Sequence, residues 1–307
     1  MRASETWDDD LAAAMGASAF TARGAVDMTD PAFIAAARAR GPVPESVEGV
    51  EISETTVPAS DGHGVTVRVY RPTSPAPQRP AYVLFHGGGW SFGSLETEHP
   101  RCLELTRRCG AVGVSVDFRM APDVPAETIL DDCWSALRWT AAREDVDPAR
   151  VVVTGSSAGG ALALSMAQLG RDRGDVVPAL ALALYPNTDD REHPSRVAPA
   201  FPVITGEQVA QVVRNVRQGR ADVPAHVFPN RTADLTGLCP TFLVVAGNDP
   251  LRDEALEHAR RLVDADVPVE LHLLPGVPHA FDGIAPQAQV TRTAYDLMCA
   301  AFDRAVR

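Results

Sequence analysis

Gly155-Ser156-Ser157-Ala158-Gly159 directly follows the apolar run 151–154 and directly precedes a helix-forming stretch, 161–169. A serine at such a junction, with glycine two positions to either side, is turned outward as a nucleophile, because only small residues let strand and helix pass so closely. Ser157 is that candidate, and Gly155 and Gly159 are the neighbours that make room for it. A second segment, His86-Gly87-Gly88-Gly89-Trp90, ends another apolar run. Glycines let its backbone approach a substrate, and N–H groups aimed at a carbonyl oxygen stabilise the negative charge that acyl transfer develops there. The amides of Gly88 and Gly89, joined by that of Ala158, would form such a hole; Gly87 frees the turn and His86 fixes the loop as a structural residue. A small-residue turn could instead cradle phosphate, but a dinucleotide loop needs G-x-G-x-x-G, and position 157 is serine.

A serine nucleophile needs a base, and position sorts the 8 histidines. His63 falls in a turn, His258 in a helix and His272 in a strand. His99, His193 and His226 lie in less regular stretches. His279 follows the last apolar run, at the same sheet edge as Ser157, and is the candidate base. The carboxylate that orients it is expected at the preceding strand's end, where Asn248-Asp249-Pro250 offers Asp249; Asp253 and Asp282 are the alternatives. Serine, aspartate, histidine is the chain order of α/β-hydrolases, and of neither chymotrypsin-like nor subtilisin-like enzymes.

The surrounding pattern supplies the elements to hold these groups. Segments 51–57 and 65–71 alternate apolar and polar around Asp61-Gly62-His63-Gly64, which predicts a hairpin. Short continuous apolar runs follow at 81–85, 111–116, 150–154, 179–185, 241–246 and 269–274. Helix-period segments starting at Asp131, Ala158, Leu251 and Pro286 are interleaved with them. That alternation predicts an α/β fold, a mostly parallel sheet with helices on both faces. Before it, Asp8–Asp10 start one short helix, and Asp30-Pro31 cap a second over 32–40 that Gly41-Pro42 stops. Residues 187–236 exceed a simple crossover; they carry a helix at 206–217 and read as an insertion over the site.

Composition narrows the field. The 307 residues carry a formal charge of -12, which disfavours a nucleic-acid partner. All 28 basic residues are arginine. With no lysine, Schiff-base chemistry, pyridoxal phosphate and Walker A phosphate binding are excluded. The 5 cysteines are dispersed without a C-x-x-C, which argues against a disulfide framework or thiolate zinc. An acidic N-terminus and the lack of any apolar run near ~20 residues lead to the expectation of a cytoplasmic protein without a membrane span.

Together with Asp117-Phe118-Arg119-Met120-Ala121-Pro122-Asp123, Tyr185-Pro186, Asn248 to Asp253 and Pro278-His279-Ala280-Phe281, these motifs resemble the bacterial hormone-sensitive lipase family of carboxylesterases. The resemblance runs from about residue 45 onward. It implies an α/β-hydrolase core at 46–186 and 237–307, with residues 1–45 and the 187–236 insertion forming a small helical cap. It implies hydrolysis of a small-molecule ester by Ser157, Asp249 and His279, without metal or cofactor. Members often dimerise, which leaves a homodimer open here. One departure stands out: the residue before the nucleophile is usually acidic in this family and is Ser156 in this chain. Trp90, Phe92 and Ser156 are the expected pocket residues, facing a wall of Trp7, Leu11, Met15, Phe20, Phe33 and Ile34. A pocket so walled would take neutral, short-chain acyl esters. An amidase or arylformamidase, a biosynthetic acyltransferase and a non-catalytic binding protein are the competing readings.

Overall fold

The computed structural model describes residues 9–17, 26–197 and 203–307; Asp8, Trp7 and Phe20 lie outside them. Eight strands form one sheet in the order β1-β2-β4-β3-β5-β6-β7-β8. They are β1 (Val50–Pro58), β2 (Gly64–Pro72), β3 (Arg79–Phe85), β4 (Val112–Asp117), β5 (Val146–Ser156), β6 (Leu180–Leu184), β7 (Thr241–Asn248) and β8 (Val269–Pro278). β1 and β2 form the expected hairpin, β2 pairs antiparallel with β4, and every other pairing is parallel. The helices are α1 (Asp9–Ala17), α2 (Pro31–Ala37), α3 (His99–Cys109), α4 (Ala126–Ala141), α5 (Ala158–Arg173), α6 (Gly206–Arg217), α7 (Arg252–Asp264), α8 (Phe281–Ile284) and α9 (Gln289–Ala305).

The central strands read as continuous apolar runs because both faces are covered. Ala81, Val83 and Phe85 of β3 enter one core with Ile129, Trp134 and Leu162 of α4 and α5; Tyr82 and Leu84 enter the other with Leu105, Met298 and Phe302 of α3 and α9. Successive side chains of a strand point to opposite faces, so a strand buried on both has no polar alternation to show. No helix among the described residues is long and apolar enough to cross a membrane.

Some boundaries differ from the sequence reading. α4 starts at Ala126, not Asp131, because Pro125 in extended conformation opens it. α2 is capped as expected, with Asp30 accepting from the Ala32 N–H, but ends at Ala37; Arg38 uses its guanidinium to bond the Ser91 and Ala121 carbonyls instead. α3 has no counterpart in the sequence reading.

Both ends of the 187–236 insertion are pinned to α7. Glu254 accepts from the N–H of Thr188 at 2.6 Å, and Asn230 bonds the Thr188 hydroxyl and the Glu254 carbonyl. The Asn230 amide oxygen meets His258 Nδ1 at 2.8 Å. Burial pushes His258 down to about 3 from an ordinary 6.5. Its unfolded form therefore binds a proton across a window where the folded form does not, and stability falls as pH drops from about 6.5 toward 3. Burial raises the neighbouring Glu254 carboxyl to about 7, which acts in the opposite sense, so the His258 contribution is read as a difference. Urea unfolding midpoints measured between pH 5 and pH 8 are expected to be shifted upward at the acid end in His258→Gln relative to the parent, whatever the substitution does to stability at neutral pH. An unchanged acid slope in the variant would contradict this account.

Candidate active site

β5 ends at Ser156, and Ser157 turns the chain into α5 with φ 54° and ψ −121°, a conformation L-residues seldom adopt. The turn is held from three sides. The Ser157 N–H donates to the Leu184 carbonyl at 2.9 Å, and its carbonyl accepts from Asn187 and Ala161. The glycines are sterically required. A Cβ on Gly159 would sit 1.9 Å from the Phe85 carbonyl oxygen, and one on Gly155 would sit 2.4 Å from the Gly159 backbone.

His279 immediately follows β8, one strand beyond β7. Its Nε2 faces Ser157 Oγ at 3.0 Å, and its Nδ1 faces Asp249 Oδ2 at 2.7 Å. Asp249 is fully buried, and its second oxygen accepts from the Leu251 N–H at 2.9 Å. With the proton on Nδ1, the imidazole presents a lone pair to the serine, as a general base must. The competing carboxylates point elsewhere: Asp253 accepts from the Ser195 N–H, and Asp282 binds Arg101 and Tyr185.

The glycine loop lies across from the serine. Gly88 and Gly89 have φ 114° and 57°, and a Cβ on either would collide with Phe92 or with Val212 of α6. Ala158 opens α5, whose first-turn N–H groups have no partner within the helix. The three candidate amides thus come from the two segments flanking Ser157. His86 is fully buried and stacks on Phe118 at 4.2 Å, and its Nδ1 meets the Gly87 carbonyl at 2.8 Å. Burial lowers its pKa. It braces the loop and does not reach Ser157.

A cavity of about 390 Å³ opens over these groups. Val26, Met28, Phe33, Phe92, Val203, Ile204, Val209 and Val212 make its apolar wall; Thr97, Glu98, Arg101, Ser156 and Tyr185 make a polar end. The N-terminal and insertion pieces meet here. Gln208, Gln211 and Asn215 of α6 bond the backbone of Val26 and Met28. Phe33 stands edge-on to Phe92 at 5.3 Å.

Two pocket expectations need correction. Trp90 is 1% exposed and packs edge-on against Phe228, so its indole faces the core and not the cavity. Leu11 and Met15 are buried with Phe281 and Ala285, docking α1 on α8, and neither lines the cavity; Ile34 is buried as well. Among the described residues of the expected N-terminal wall, Phe33 is the one that lines it.

Glu98 and Arg101 went unrecognised in the sequence because they sit just before and within α3, a polar helix with few apolar positions. Its available signals were His99-Pro100 at the start and Gly110, left-handed at φ 60°, at the end. Arg101 pairs with both Glu98 and Asp282 and is almost fully buried. Burial opposes its charge, but the two carboxylates more than offset this and hold its pKa above the ordinary value. Asp282 is likewise buried, yet Arg101 and the Tyr185 hydroxyl keep its carboxyl below the usual range. The Tyr185 ring stands edge-on to His279 at 4.9 Å. No group of three or more His, Cys, Asp or Glu that could hold a metal occurs among the described residues.

The family model for the alpha/beta hydrolase fold matches residues 82–283. The chain belongs to that family. It is 36% identical to carboxylesterase NlhH of Mycobacterium tuberculosis over 272 residues, 86% of this chain and 85% of the relative. It is 34% identical over 244 residues to ethyl acetate hydrolase of Pseudomonas putida, covering 75% of each. A solved structure titled bacterial heroin esterase superposes with a TM-score of 0.86 at 32% identity, over 98% of both chains. These relatives agree with the resemblance to hormone-sensitive-lipase-type carboxylesterases.

The geometry separates the carboxylates by experiment. Asp249→Asn is expected to lower kcat on the order of 10⁴-fold with the fold retained, by favouring the wrong imidazole tautomer. Asp253→Asn should stay within about threefold of the parent, as a residue whose contacts lie outside the reacting groups. Steady-state kinetics with circular dichroism on both variants checks this.

Proposed function

We propose that the protein is a carboxylic ester hydrolase acting through a covalent acyl-enzyme on Ser157. The observation that carries this reading is the continuous contact Ser157 Oγ to His279 Nε2 at 3.0 Å and His279 Nδ1 to Asp249 at 2.7 Å, set beneath an apolar cavity. In the first step His279 takes the hydroxyl proton as Ser157 Oγ bonds to the ester carbonyl carbon. The carbonyl oxygen gains the charge and is met by the amides of Gly88, Gly89 and Ala158. As the tetrahedral intermediate collapses, the C–O bond breaks and His279 delivers its proton to the departing alcohol. Water then repeats the sequence on the acyl-enzyme, with Asp249 stabilising the imidazolium throughout. The names of the relatives, carboxylesterase and ethyl acetate hydrolase, agree with an ester substrate.

Residues 1–45 and the 187–236 insertion are proposed to act together as the cap. The link between Val26, Met28 and α6 supports this, since it joins the two pieces above the cavity. A small, mainly apolar space of about 390 Å³ favours short acyl groups. The net charge of -12 disfavours anionic substrates.

Two measurements test the reading. Labelling with an organophosphate, followed by peptide mass spectrometry, should place the adduct on Ser157, and Ser157→Ala should neither label nor turn over. On a panel of p-nitrophenyl esters, acetate to butyrate are expected to be cleaved at least about tenfold faster than laurate, with anilides and N-formyl aromatic amines slower still. An adduct on Ser156, or laurate as the preferred ester, would refute the corresponding part of the proposal.

A further inference from the structure

The nucleophile and the glycine loop belong to different strands, β5 and β3, so something must set their separation. Gly87 passes directly over the elbow: a Cβ there would lie 3.1 Å from Ser156 Oγ and 3.6 Å from Ser157 Cβ. At this crossing sits a single carboxylate. Glu98 Oε1 accepts from Ser156 Oγ at 2.9 Å and from the Gly87 N–H at 3.3 Å, while Oε2 accepts from Arg101. Glu98 is 2% exposed. Arg101 then continues to Asp282, three positions after His279, at 2.6 Å.

We infer that Glu98 is a positioning residue for the proposed acyl transfer, fixing the glycine-loop amides relative to Ser157 through Gly87 and Ser156. The inference rests on the reading of Ser157 as nucleophile and of Gly88 and Gly89 as oxyanion donors. Its physical content is a shared acceptor: one buried carboxylate oxygen bonded to both segments ties them more tightly than either bond alone, because charged acceptors bind more strongly than neutral ones. A hydroxyl at position 156 suits this arrangement, since it can donate to the carboxylate. An acidic residue there would set two carboxylates together and repel Glu98. The carboxylate that the family usually carries beside its nucleophile is, in this chain, supplied by Glu98, immediately before α3.

The test is a cycle of Glu98→Gln, Ser156→Asp and the double variant, assayed with p-nitrophenyl acetate. A donor held for the transition state lowers kcat and kcat/KM together and leaves KM nearly unchanged. Glu98→Gln is therefore expected to lose roughly tenfold or more in kcat, with KM within about threefold. Ser156→Asp alone should lose as much through repulsion, and the double variant should recover most of the loss by returning one carboxylate to the crossing. Ser156→Ala, which leaves the Glu98–Arg101 pair in place, should give a smaller loss of the same kind and keeps the test open if Glu98→Gln does not fold. The inference is overturned by a Glu98→Gln kcat within about twofold of the parent, by a loss confined to KM or thermal stability, or by a double variant no better than the singles. Organophosphate labelling of the unaltered protein is read separately: failure to label Ser157 defeats the underlying mechanism, whereas labelling with a silent Glu98 variant defeats this inference alone.

Discussion

The close approach of two backbones at the carboxyl edge of the sheet governs the rest of the structure. Where α5 leaves the elbow, Gly159 lies so near Phe85 at the end of β3 that no side chain could stand between them. That contact brings the segment after β3 and the segment after β5 side by side. The first is the glycine loop and the second carries the proposed nucleophile, Ser157. The strained angles of Ser157 follow from the same geometry, since the chain must reverse within one residue to start a helix on the sheet's face. The strain is tolerated because Leu184, Asn187 and Ala161 all bond the turn, and the continuous apolar strands on either side hold it from below. His279 and Asp249 then need only to end neighbouring strands, β8 and β7, to arrive at the same edge.

Beneath that edge lies an arrangement that costs stability. Glu98, Arg101 and Asp282 are all nearly buried, and removing ions from water carries a penalty of several kcal/mol each before their attraction repays it. Packing alone would be served as well by apolar residues of the same volume. What apolar residues could not do is connect loops that leave different strands. Ser156 and Gly87 meet Glu98, while Tyr185 and Asp282 meet Arg101; Tyr185 stands against His279. The network thus touches the glycine loop, the elbow, the segment after β6 and the segment after β8. Directional bonds of this kind specify relative placement, and hydrophobic contact, being non-directional, does not.

The unequal legibility of these parts in the sequence has the same physical basis. The elbow and the glycine loop could be read because steric demands at a tight turn restrict a position to one or two residue types, so composition reports geometry. The strands could be read because burial on both faces leaves unbroken apolar runs, and α6 because Thr205 and Gly206 precede a strong apolar stripe that ends at Arg217. The helix α3 could not be read in the same way. Its work is done by Arg101 and by Glu98 just before it, which pair with each other but owe their burial also to Asp282 and Ser156, more than fifty positions away, and nothing local distinguishes such a charge from one facing water. Trp90 failed for the converse reason. Its neighbours in sequence line the cavity, but its positive φ turns the ring inward onto Phe228, and the direction of one side chain in an irregular loop is not encoded by periodicity.

The cavity shows how two weak segments become one wall. Neither α2 nor α6 has a core of its own, and helices of 7 and 12 residues are marginal in isolation. Each gains footing on the glycine loop. Val212 of α6 fills the space that the absent side chain of Gly89 leaves, and Arg38 at the end of α2 bonds the Ser91 carbonyl just beyond it. Gly89, whose amide the proposed mechanism aims at a substrate, therefore also admits α6 on its other side. A larger residue at position 89 would push α6 outward and move the loop together, so the wall of the cavity and the candidate amides beneath it share one steric constraint. Under the proposed mechanism, acyl-group size and carbonyl placement are for that reason linked, both set where α6 rests on the glycine loop.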